Sequence, residues 1–162
     1  MMQLSKKQME QYLRKSYSAV DGLWFVKLEE KFGFEAALDR DKEVWKVMAK
    51  IQSRALRSIL AGPAGEAPDL RKSFSAKLAL DGFQFVARTL KRGGFVMIVR
   101  TCPWYEILVK AGRQECAERI GAAICGCEYA VWAQEFGDTY AMDLESRICQ
   151  GDNVCRINFI VK

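Results

Sequence analysis

Six cysteines and no histidine set the chemistry open to this chain. The thiols are Cys102, Cys116, Cys125, Cys127, Cys149 and Cys155, and none falls in the first 101 residues. Without histidine, Ser-His-Asp and Cys-His catalysis are excluded, and any bound metal must be held by sulfur and carboxylate. The opening residues Met1 to Lys7 lack the apolar run of a secretion signal. The expected compartment is therefore the reducing cytoplasm, where clustered thiols point to metal or redox chemistry and disulfides rarely persist.

Zinc favours four thiolates in a tetrahedron, delivered from turns and element ends. Cys149 and Cys155 flank a Gly-Asp turn between two expected strands. Cys102 closes a strand just before Pro103, and Cys116 lies where one expected helix gives way to the next. These four are the candidate ligands. Cys125 and Cys127 are two apart inside an expected helix and point about 200° apart, so they are expected to pack, as buried thiols commonly do. The spacings of 14, 33 and 6 between the four candidates match no compact zinc finger. Two other readings stay open: a set of buried structural thiols, and a redox pair of Cys149 with Cys155.

Carboxylates and aromatics supply the remaining candidates. Asp21, Glu29 and Glu30 on the first helix are possible acid/base groups. Trp24, Trp45, Arg100 and Trp104 are possible pocket residues for an aromatic or heterocyclic ligand, with Arg100 placed to pair a ligand carboxylate. Asp21-Gly22 interrupts a helical stripe, at a cost of about 1 kcal/mol for the glycine relative to alanine.

The elements that must position these residues follow from periodicity. Ser5 is a good N-cap, and Met9, Leu13, Tyr17, Val20, Trp24 and Leu28 recur at spacings of three and four, predicting a long helix that ends near Phe32 before Gly33. A second helical stretch runs from Phe34 to Leu60, with a break expected at Leu38 to Asp41 and a buried stripe of Val44, Met48, Ile51, Ala55 and Ile59. Ala61 to Pro68 reads as a linker, and Asp69 opens a short helix through Leu80.

From Phe83 the pattern changes. Phe83 to Leu90 and Phe95 to Thr101 are β-rich around a Lys-Arg-Gly-Gly turn. Pro103 starts a helix to about Arg113, Glu115 to Glu135 is another, and Thr139 to Arg147 and Arg156 to Val161 are the last two strands. The expectation is a single α+β domain of residues 1–162, with a helical part over 1–62 and an α+β part over 69–162. Its sheet of about four strands is mainly antiparallel, with inserted helices, and is covered on one face by the long N-terminal helices. Half the residues are hydrophobic and 28% are charged, as in a globular chain with a substantial core. The net charge of +5 is spread among alternating signs, which makes nucleic acid an unfavoured partner, and no apolar run is long enough to span a membrane.

Two stretches resemble known families. The tail from Glu145 through Cys149, Gly151-Asp152 and Cys155 to Phe159 is similar to the end of the 4-vinyl-reductase domain, a small-molecule-binding module. That resemblance implies zinc beside an aromatic-ligand pocket, with Cys116, Glu145, Cys149 and Cys155 as ligands. In the N-terminal half, Asp21 to Phe25, Glu29-Glu30, Phe32-Gly33 and Trp45, with Arg100 to Pro103 further on, resemble a prokaryotic family akin to L-2-amino-thiazoline-4-carboxylate hydrolases. That resemblance nominates Cys102. Between Cys102 and Glu145, the softer thiolate is the preferred fourth ligand and gives a closed, structural site. The leading expectation is a small-molecule-binding domain with structural Zn2+ on Cys102, Cys116, Cys149 and Cys155. The alternatives are a hydrolase of a small cyclic amide or amidine, and a regulatory module that dimerises through its long helices.

Overall fold

Ser5 caps the first helix as its sequence predicts, with a capping box to Gln8. In the computed structural model, which describes residues 3–62 and 66–162, α1 runs Lys6–Phe32 and α2 runs Phe34–Ile59. Gly33 separates them with a positive φ of 85°. The chain then divides into two compact units, Met1–Asp41 and Lys42–Lys162, with the boundary inside α2. Part of the expected linker, residues 63–65, lies outside the described residues.

The first unit is helical, and α1 has Phe25 as its buried residue, set edge-to-face against Phe34. The expected stripe is on the other side of the helix: Met9, Leu13, Val20 and Trp24 are exposed. Apolar residues occupy so much of the circumference of α1 that periodicity alone does not select the buried face. In α2 the expected break is absent and the buried stripe is shifted by one position. Trp45, Ala49 and Leu56 are buried, while Val44, Ile51 and Ile59 are exposed. A one-residue shift is a 100° turn of the helix, and Trp45, packed edge-to-face on Trp104 at 5.4 Å, sets which face turns in.

The second unit adds α3 (Leu70–Asp81), β1 (Gln84–Thr89), β2 (Gly94–Thr101), α4 (Pro103–Lys110), α5 (Gln114–Glu135), β3 (Tyr140–Ser146), a 3₁₀ turn (Ile148–Gln150) and β4 (Cys155–Val161). Asp69 caps α3, and Pro103 occupies the first turn of α4. The four strands form one antiparallel sheet in the order β1-β2-β4-β3, so the fold is α+β. Gly94, at a φ of 88°, makes the tight approach to β4: a Cβ there would run into the Phe159 carbonyl.

Register decides which face each strand residue takes. Phe95 pairs with Phe159, Met97 with Ile157 and Val99 with Cys155, all toward the core. Arg156 and Asn158 of β4 take the other face, where they bind Glu145. The core is built by α3, α5 and the second half of α2 on the sheet. At its centre Phe74 meets Tyr129, Trp132 and Phe159 edge-to-face at 5.0–5.5 Å. Each such ring, fully buried, is worth on the order of 1.5–3 kcal/mol.

Candidate functional site

Four of the six thiols converge at one edge of this core. Cys102 stands at the N-cap of α4, directly after β2. Cys155 begins β4, on the core side of the sheet opposite Val99. Cys149 lies in the 3₁₀ turn, its sulfur pressed against Gly121 of α5, where an added Cβ would come within 2.6 Å of Sγ. Cys125 is one turn along α5 from Gly121 and so shares its face. All six cysteines are free thiols.

The electrostatics bind these four into one group. Burial pushes the Cys102 thiol up to about 11, and the negative charges of Cys155 and Cys149 add to it. Burial pushes Cys125 up further, reinforced by Cys102, Glu128 and Cys149. Cys149 is raised by burial and then by Cys155, and Cys155 is raised by burial. Against this, Arg147 draws the pKa values of Cys149 and Cys155 down, without reversing either shift. Backbone N–H groups act in the same sense: Ile148 N–H donates to Cys155 Sγ at 3.2 Å, and the Tyr105 and Trp104 amides favour a Cys102 thiolate. Tyr129, buried beside the group, is raised by burial and then by Cys125 and Glu128.

Cys116 does not join them. It lies nine residues before Cys125 on α5, about 13 Å along the helix and on its opposite side. Its sulfur is instead 3.8 Å from Arg113 and from Glu115. Cys127 also faces away from Cys125, toward the carbonyls of Ile124 and Lys42. The opposite-face reading of Cys125 and Cys127 therefore holds, but Cys125 belongs to the cluster and does more than pack. Glu145 is on the outer face of the sheet, bound to Arg156 and Asn158, which hold its carboxyl below the usual range. It is turned away from Cys155. Among the described residues no group of three or more Cys, Asp or Glu side chains forms a ready metal cage. The cluster supplies a soft donor set, and its sulfurs are not drawn in to coordination distance.

The other sequence candidates are dispersed. Trp45 and Trp104 pack on each other. Arg100 is exposed near the end of β2, and Trp24 is exposed on α1. Asp21 and Glu29 are half-buried on α1, and Glu30 is exposed and paired with Lys27 at 2.7 Å.

A second buried polar group adjoins the thiols and escaped the sequence reading. Lys77 of α3 is 2% exposed and sits 2.7 Å from Glu128 and 3.1 Å from Asp81. Phe74, Phe83 and Tyr129 surround its ammonium. Burial opposes its charge, but the two carboxylates outweigh burial and raise its pKa. The signal was present as a Lys-Asp pair at i, i+4 on a helix whose other buried residues are Leu70, Ser73, Phe74 and Leu78.

The fold is thus an α+β layer of helices on an antiparallel sheet, with a thiol cluster at one edge. By the match of residues 2–135 to its family model, the chain belongs to DUF6125, a family of unknown function. The matched part contains Cys102 and Cys125, while Cys149 and Cys155 follow it. No curated protein matches the chain. No helix among the described residues is long and apolar enough to cross a membrane.

Proposed function

We propose that this protein is a thiol-based metal-binding domain whose soft divalent ion, zinc, is held by Cys102, Cys125, Cys149 and Cys155. The observation that carries this reading is the meeting of four half-buried thiols from four separate elements, each shifted toward its protonated form. A divalent cation removes both causes of that shift, because it compensates burial and replaces thiolate repulsion with attraction. Three of the four sulfurs lie at element ends, where small backbone movements bring donors together. The Ile148 amide that donates to Cys155 is suited to a thiolate ligand.

With four sulfurs the site is closed and structural, stabilising the edge where α4, α5 and β4 meet. The role extends to binding a small aromatic or heterocyclic molecule, on the resemblance of the tail to the 4-vinyl-reductase domain, in a cytoplasmic setting that keeps the thiols reduced. Zinc titration against a chromophoric chelator tests the metal. The wild type and Cys116→Ser should each take up one equivalent, and Cys125→Ser should lose affinity at least tenfold. Equal loss in Cys116→Ser and none in Cys125→Ser would overturn the ligand set. No uptake by the wild type would overturn the function.

A further inference from the structure

Helix α1 has 27 residues and buries only Phe25. Isolated helices are marginal in water, and most helices are stabilised by packing an apolar face. α1 has such a face with nothing described on it. Met9, Tyr12, Leu13, Val20, Leu23 and Trp24 are 45–67% exposed. At 100° per residue they fall within about 120° of the circumference. Glu10, Arg14, Lys15 and Asp21, the charged residues between Met9 and Trp24, all fall outside that arc. The stripe is thus a neutral seam at three-four spacing.

We propose that this seam is an interface with α1 of a second copy of the chain. A face pairing with itself must carry no like charges in its centre, and this one meets that condition. Tyr and Trp, each 67% exposed here, are residues enriched at interface cores. Covering the six side chains would remove on the order of 700 Å² per copy, given 150–250 Å² for each aromatic. The total of about 1,400 Å² lies in the range of specific protein interfaces. Ser16 is at the middle of the seam, so two copies would bring their Ser16 residues together whether the helices run parallel in register or antiparallel.

Light scattering of the full chain over a hundredfold concentration range tests this. The wild type should show twice the chain mass, and Leu13→Glu/Leu23→Glu should show the single-chain mass with unchanged far-ultraviolet dichroism. Both substitutions are on the exposed face, so the fold does not depend on them. Ser16→Cys should cross-link between copies on mild oxidation, at a site separable by proteolysis from the native thiols, which all follow residue 101. A wild type that stays at single-chain mass throughout, whatever else covers the seam, overturns the proposal. So does a dimer that survives both glutamates and gives no link at position 16.

Discussion

Glu128 and Cys125 are three residues apart on α5, and each belongs to a buried polar group, but the two groups are balanced differently. Around Glu128 the acids have a cation between them: Lys77 faces two carboxylates and three aromatic rings. Around Cys125 the neighbours are other thiols, an acid and the Tyr129 hydroxyl, with Arg147 acting on Cys149 and Cys155. A buried acid beside a buried cation has its compensation within the fold. A group of like-charging donors is stable only while protonated, or when a cation joins it. That contrast separates the group we read as structural from the one we read as a binding site.

The largest expected effect is in the Lys77 group. Removing one partner of a buried ion pair costs about 3–5 kcal/mol, because the other charge is left without compensation. Glu128→Ala should therefore lower stability to denaturant by that amount. Replacing both partners, as Lys77→Met with Glu128→Leu, should recover much of the loss, since a packed apolar pair often equals a buried ionic one. If Glu128→Ala left stability unchanged, the Lys77 group would not be the structural half of the comparison.

The thiol group should respond to pH, and in opposite senses with and without metal. In the metal-free chain the folded-state thiol pKa values are raised, so the fold retains protons that the unfolded chain gives up. Its contribution is full below about 9, the ordinary thiol value, and is lost as pH rises toward the folded value of about 11 at Cys102. For that residue alone the loss is on the order of 2–3 kcal/mol. With zinc bound the thiolates are held by the ion, and stability should fall toward acid as protons compete for sulfur. Denaturant titrations at several pH values, with and without zinc, read both slopes. The same slope in both states would remove the distinction between the two groups.

The ends of the elements were readable from local chemistry. Ser5, Asp69 and Pro103 start helices where their types predict, and the Lys-Arg-Gly-Gly turn joins β1 to β2. The faces of the long helices were not readable. α1 and α2 are apolar on more than one side, and partners distant in sequence, such as Trp104 for Trp45, decide which side turns in. The site was half readable. Cys102, Cys149 and Cys155 showed themselves by position at element ends, whereas Cys116 shared that position without sharing the place. Cys125 is concealed in the sequence by its i+2 neighbour, Cys127, which cannot face the same way. The better sign was Gly121 one turn before it, a gap in the helix surface that Cys149 fills. Lys77 was concealed by its own charge, since lysine is almost never fully buried unless paired.

The most direct test of the central claim is X-ray absorption at the zinc edge of protein loaded with one equivalent. A shell of four sulfurs at about 2.3 Å is expected, falling to three with a light-atom ligand in Cys125→Ser and unchanged in Cys116→Ser. A wild-type shell of oxygen and nitrogen alone, or one that loses sulfur in Cys116→Ser and keeps it in Cys125→Ser, would contradict it.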